Sequence, residues 1–291
     1  MSALRLLVAA LCAILLAVTM VLLGVAITLS SSVLDTDFVV AEVERMPVHT
    51  LFAEEAKKQV PPEAEFLLPL VDQAAEDLEP WAKEQAAVIV RAAETFVQGD
   101  LSFTAVISLE EPKQYLADHL EEAVLASGLP GFELLNEKQL RSFLAMVVQE
   151  IDNRLPDTFR ITEEYLEPDM LDGLRTAREY AGWVTWSLRL LPVIAILLVL
   201  LIAMVQLFRG RPITRFVGVA LLVAGISSIV LWQVAPPLLS GMLPTNIPAA
   251  VSAVLPGAVA RACESLLVYG VVVLLVGAGL VVLSFKLRAA E

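Results

Sequence analysis

Histidine and cysteine are scarce in this chain, with two of each in 291 residues. His49 and His119 belong to no HExxH pair and Cys12 and Cys263 to no Cys-x-x-Cys, so the usual zinc motifs are excluded. No Walker loop, GxGxxG or GxSxG occurs, which removes the common phosphate-binding, dinucleotide-binding and hydrolase signatures. No DxDxDG-type loop supports a calcium site. His49 lies near Glu54, and His119 shares a helical face with Glu122. In a segment this rich in carboxylates such pairs arise by chance, so a solvated polar face is expected. Catalytic, cofactor-binding and metal-ligating residues are therefore expected to be none.

Charge is missing from four stretches. Leu6–Leu29, Leu190–Phe208, Phe216–Ala235 and Ser265–Phe285 contain no Asp, Glu, Lys or Arg. A bilayer core of about 30 Å needs about 20 helical residues at 1.5 Å each, so each stretch is long enough to span. The apolar share of 57% and mean hydropathy of +0.74 agree. The sequence predicts an integral membrane protein, mainly α, with four transmembrane helices. Residues 1–30 form the first, and residues 183–291 form a three-helix membrane part with spans at about 183–208, 216–235 and 265–285.

Basic residues are scarce where acidic ones abound. Ser31 to Trp183 holds 31 Asp and Glu against 12 Lys and Arg, a net of −19 in a chain whose total is −13. Residues 31–182 thus read as an acidic domain between the first and second spans. Nucleic acid is not an expected partner, because phosphates need clustered Lys and Arg.

An even number of spans puts both termini on one side, with the turn "RGRPITR" at 209–215. That side holds Arg5, Arg209, Arg211, Arg215, Lys286 and Arg288, whereas the loop Pro236–Glu264 holds only Arg261 and Glu264. The positive-inside rule counts short loops and makes the six-cation side cytoplasmic. The acidic domain is then extracytoplasmic, in a multi-pass protein of the cell membrane. The absence of any Asn-x-Ser/Thr sequon fits a prokaryotic source. Leu6–Leu29 is too long for a signal-peptide core, and Leu11 stands where a lipoprotein signal needs a small residue before Cys12, so an uncleaved anchor is expected. Cys12 and Cys263 lie about 20 Å apart along the membrane axis, too far for an intramolecular disulfide. Both suit packing, and an exposed Cys263 would allow a homo-oligomer linked through it.

The acidic domain reads as helical with one small strand pair (α+β). Thr36–Met46 and Val48–Gln59 are predicted helices either side of Pro47, and "VPPE" at 60–63 is a turn. A longer helix runs from Pro80 to a stop at Gly99, with Trp81 near its start and a stripe of Val88, Ala92 and Phe96. "LSFTAVISL" at 101–109 alternates with period two, which marks a half-buried strand. A lone strand leaves its backbone groups unpaired, and "DTFRIT" at 157–162 is the best partner. Phe103, Ile107, Phe159 and Ile161 would share the buried face. Between the strands lie Pro112–Ser127, stopping at Gly128, and Glu137–Arg154, with Asn136 and Gln139 as a capping box.

From Glu167 to Phe208 one helix is expected to continue into the second span. Trp183 and Trp186 suit the outer interface, and Arg189 is placed to snorkel to the headgroups. With Arg209, Arg211, Arg215, Lys286 and Arg288 they are the expected membrane-interface anchors. The segment between Pro248 and Pro256 reads as interfacial, as packed under the acidic domain, or as re-entrant. Within the spans, Ala9, Ala13 and Ala17 continue toward Gly24, and Gly218, Gly225, Gly270, Gly277 and Gly279 offer close-packing sites.

These features point to a non-enzymatic polytopic protein that presents an acidic domain for sensing, scaffolding or partner binding, with the lipid bilayer as its constant partner. One large outer loop after the first span, with both ends inside, also resembles the topology of cell-division and MacB-type ABC permeases. The likeness lies in span order and in no motif. It implies a transport-related subunit working with an ATPase, although the inner loop here has only about six residues in which to meet one.

Overall fold

The computed structural model describes residues 3–60, 68–99, 102–126, 137–206, 210–241 and 249–289. They form two compact units, one of Met1–Val39, Thr176–Ile247 and Ser252–Glu291, the other of Val40–Arg175 with Pro248–Val251.

The first unit is built from α1 (Ala3–Ser30), most of α8 (Pro168–Val205), α9 (Gly210–Gly241), most of α10 (Ala249–Ala262) and α11 (Glu264–Ala289). Four helical stretches are long and apolar enough to cross a membrane: Arg5–Ser30, Pro168–Val205, Ile213–Leu239 and Val251–Lys286. The chain is a multi-pass membrane protein, mainly α-helical. Its packing is inverted relative to a water-soluble bundle. Ala9, Ala17, Ala220, Ala224 and Ser228 are buried at the helix contacts, while Leu7, Ile14, Ile196, Val268 and Leu275 face outward. Lipid is as apolar as leucine, so close backbone approach at small residues is a main source of association for such helices.

Glycine sets that approach between α9 and α11. A Cβ on Gly225 would lie 2.7 Å from the Leu274 backbone N and 2.8 Å from the Gly270 carbonyl. One on Gly277 would lie 2.7 Å from the Leu222 backbone N and 2.9 Å from the Gly218 carbonyl. Two reciprocal glycine pairs therefore hold the helices together. The fifth expected site is a correction: a Cβ on Gly279 would meet nothing within 4 Å. On the other face of the hairpin, Leu16, Cys12, Ile202, Val217 and Val273 form a common core.

Two boundaries differ from expectation. α9 does not end at Ala235 but runs through Pro236 and Pro237 to Gly241. Proline frees a carbonyl one turn back, which neighbouring groups in a membrane protein can satisfy. The stretch between Pro248 and Pro256, expected to be interfacial, packed under the acidic domain or re-entrant, lies mostly within the helix α10, with Pro256 inside it.

The second unit comprises α3 (Val48–Gln59), α4 (Leu68–Asp77), α5 (Glu79–Gln98), β1 (Thr104–Ser108), α6 (Glu110–Ala126), α7 (Glu137–Arg154) and β2 (Thr158–Thr162), the last running into a 3-10 turn at Glu163–Tyr165. α2 (Thr36–Arg45) precedes α3, and Val40 marks the border between the units. α4 is short and not expected from the sequence, although its second residue, Pro69, is the same start signal that Pro80 gives α5. α5 starts with Pro80 in its first turn and stops at Gly99, whose φ of 131° suits a residue without Cβ. The sequence-predicted turn at 60–63 and the caps at Gly128 and Asn136 lie wholly or mainly outside the described residues.

β1 and β2 pair antiparallel, with Ala105 opposite Ile161 and Ile107 opposite Phe159. The Leu109 N–H donates to the Asp157 carbonyl at 2.8 Å, so odd-numbered residues turn their backbone groups into the ladder. Ser108 turns the other way, to α5: its N–H donates to Gln85 Oε1 at 3.0 Å and its carbonyl accepts from Trp81 Nε1 at 2.9 Å. Two side chains thus stand where a third strand would bond. The core beneath the sheet is Phe96, Phe103 and Ala105, with Ile89, Ala92, Ala93, Ile161, Leu166 and Leu174 around it.

Two assignments need correction there. Ile89, and not Val88, shares the α5 stripe with Phe96, which places the apolar face one residue round from the sequence-derived one. Phe159 lies on the same sheet face as Ile161 but is 38% exposed, because the packed cluster ends at Ile161. Phe159 meets Tyr165 edge-on at 5.3 Å instead.

Candidate functional site

α8 carries the residues singled out as anchors. Trp183 and Trp186 are 74% and 70% exposed, and Tyr180, missed from sequence, is 66% exposed. Steps of three residues turn about 300° on a helix, so the three rings fan over one side of α8. Arg175, Arg178 and Glu179 precede them, Arg189 follows as an exposed residue, and then no charge occurs from Leu190 to Val205. Open aromatic rings between a charged segment and an aliphatic one match the polarity profile of a membrane–water boundary. The regular spacing from Trp183 back to Tyr180 was the available signal.

The other anchors are placed at helix ends. Arg215 and Lys286 are exposed, in the first turns of α9 and near the end of α11. Arg211 and Arg288 fall within the same two helices, and Arg209 lies outside the described residues. Arg5 is exposed in the first turn of α1.

Between α1 and α11 a polar contact crosses the bundle. The Tyr269 hydroxyl donates to the Met20 carbonyl at 2.6 Å. Its ring occupies the notch left by Gly24, where a Cβ would lie 2.5 Å from Tyr269 Cε1. Thr19 and Thr28 return their hydroxyls to the carbonyls of Leu15 and Gly24, one turn back. Ser228 and Gln206 are buried, and among the described residues Ser228 Oγ and both amide atoms of Gln206 have no partner.

In the second unit the histidines take unexpected partners. His49 Nδ1 lies 3.0 Å from Glu79 Oε2, so its neighbour is a residue 30 positions on and not Glu54. Lys83 bonds the other oxygen of Glu79 at 2.9 Å. The Lys83 hydrogen bond, with a smaller contribution from His49, holds the Glu79 carboxyl below the usual range against the effect of burial. His119 stacks on Tyr115 at 4.1 Å and directs Nδ1 to the Tyr115 carbonyl. Lys113 sits between Asp157 at 2.8 Å and Asp152 at 3.7 Å, and the Asp157 hydrogen bond leads in raising its ammonium above the usual value. The His49–Glu79 contact and the Lys113 carboxylate partners tie neighbouring elements together, while the Lys83–Glu79 and His119–Tyr115 contacts stay within one helix. Among the described residues no three His, Cys, Asp or Glu side chains gather as a metal site.

Both cysteines are buried, Cys263 at 7% exposure. A link between copies through an exposed Cys263 is therefore withdrawn. Compared with models of protein families, with curated proteins and with solved structures, the chain matches none.

Proposed function

We propose that this is a non-enzymatic membrane protein of a prokaryotic cell membrane, with cytoplasmic termini, that presents its acidic unit outside for sensing, scaffolding or partner binding. Trp183, Trp186 and Arg189 set the depth of α8 at the outer interface, and Arg5, Arg209, Arg211, Arg215, Lys286 and Arg288 hold the cytoplasmic edge. The observation that carries the reading is the helix α8, unbroken over 38 residues. Leu174 near its start belongs to the core of the second unit, and Ile202 near its end to the core of the first. We read α8 as the element through which the acidic unit would act on the membrane unit. A transport subunit on the ABC-permease plan would need a cytoplasmic platform for an ATPase. Only residues 206–209 join α8 to α9, which favours the display reading.

The test is a flexible Gly-Ser insertion after Gly182, where α8 has open space around it. Expression and folding of both units should persist while the cellular phenotype of the gene is lost. Full complementation by the insertion variant would leave α8 as a tether and remove the coupling.

A further inference from the structure

The two edges of the small sheet are treated differently. The outer edge of β1 is closed at Ser108 by Gln85 and Trp81. On β2 the odd residues face β1, so Thr158, Arg160 and Thr162 turn their backbone away from it. Among the described residues nothing meets the N–H groups of these three or the carbonyls of Thr158 and Arg160. Thr158, Phe159 and Arg160 are all exposed. An open strand edge is a template for another strand.

Charge decides what kind of strand fits. Asp157 stands at one end of β2 and Glu163 and Glu164 at the other, with Arg160 midway and, among the described residues, in no ion pair. A second copy pairing antiparallel over the full edge would set Arg160 against Arg160, and Asp157 against Glu163. Like charges directly opposite are destabilising, so the edge opposes its own duplication. The complementary strand has a cation at each end, an acidic or neutral residue at its centre, and apolar residues opposite Phe159 and Ile161. The surrounding net charge of −19 draws such a cationic segment in.

We propose that the free edge of β2 is a docking site for an extended, cation-flanked segment of another protein, added as a third strand. The proposal rests on the reading of this unit as a partner-binding module and names the place and the partner's chemistry. The probe is the capped peptide Lys-Thr-Val-Glu-Val-Thr-Lys, offered to the full chain in phosphatidylcholine nanodiscs, with empty discs as blank. Fluorescence anisotropy should show binding, and hydrogen exchange should slow at the amides of Arg160 and Thr162. N-methylation of the central Glu of the peptide should weaken binding at least tenfold, as should Arg160→Pro, which removes an N–H that the ladder does not use. The charge-reversed peptide Glu-Thr-Val-Lys-Val-Thr-Glu should not bind.

Equal binding of the N-methylated peptide, with the folded protein unaltered, overturns strand addition and leaves a purely electrostatic acidic module standing. No binding of either peptide overturns the docking site, while the coupling reading is still judged by the Gly182 insertion. Cross-linking of β2 to β2 between copies, from cysteine at Thr158 and at Thr162, overturns the assignment in favour of a second copy.

Discussion

The ring of Tyr269 fills the space that a side chain on Gly24 would need, and its hydroxyl bonds the carbonyl of Met20 one turn earlier on the same helix. Size and polarity are thus read at one point of the α1–α11 contact. Gly24→Ala should displace the ring and destabilise the bundle by about 1–3 kcal/mol, the usual cost of overpacking. Tyr269→Phe keeps the ring and should cost about 0.6 kcal/mol, the average for a hydrogen bond between membrane helices. Thermal unfolding in detergent, followed by maleimide access to buried Cys263, ranks the two. A larger loss for Tyr269→Phe would mean that the hydroxyl, and not the notch, holds the contact.

The glycine pairs of α9 and α11 allow an internally controlled comparison. Gly225→Ala meets the Leu274 backbone and Gly277→Ala the Leu222 backbone, neither of which can rotate aside. Each should cost about 1–3 kcal/mol as the helices are forced apart. Gly279→Ala enters open space and should be neutral or mildly stabilising, since alanine is the better helix former. Equal melting temperatures for all three would refute the close approach.

In the second unit, Ala105→Asp should be the most damaging strand substitution, losing several kcal/mol by placing an unpaired charge in the core under the sheet. Phe159→Asp should cost far less, because that ring is open to its surroundings. Limited proteolysis across a urea series would order them.

Acid should weaken the same unit through Glu79. Its folded carboxyl is held below the ordinary 4.5, chiefly by Lys83, so the ionised form is favoured by folding. That contribution is present above about pH 4.5 and is lost as pH falls through the depressed folded value. Glu79→Gln should melt lower than the parent at pH 7 and approach it at pH 3. A constant gap across that range would sink the assignment.

Orientation can be read with thiol chemistry, though not at Cys263, which is buried. In intact cells a membrane-impermeant maleimide should label Glu84→Cys on exposed α5 and should leave Arg215→Cys unlabelled until lysis. The opposite pattern would invert the topology drawn from the basic turn at 209–215.

Periodicity made much of the architecture legible. Charge-free stretches marked the spans, and the alternation through Phe103, Ala105 and Ile107 marked a strand that needed a partner at 158–162. What periodicity could not supply was third-dimensional cover. Phe159 has the right parity for burial, but parity does not say where the packed cluster ends. His49 has Glu54 and Glu55 nearby in sequence, yet it bonds Glu79. The glycines of the spans were visible one by one, and only the fold shows which meet and that Gly279 meets nothing. The candidate anchors rest on a one-dimensional pattern along α8, with charge, aromatic ring and aliphatic chain in turn, and their place at a membrane boundary belongs to the proposed function.

The glycine pairs of α9 and α11 recur seven residues apart on both helices, Gly218 with Gly225 and Gly277 with Gly270. That repeat works as a vernier. A slide by one helical turn would bring notches against bulky side chains such as Leu274 and Leu222, so this register is favoured over its one-turn neighbours. α8, whose spanning window is the least covered of the four, adds Ile202 to the bundle core beside that fixed hairpin.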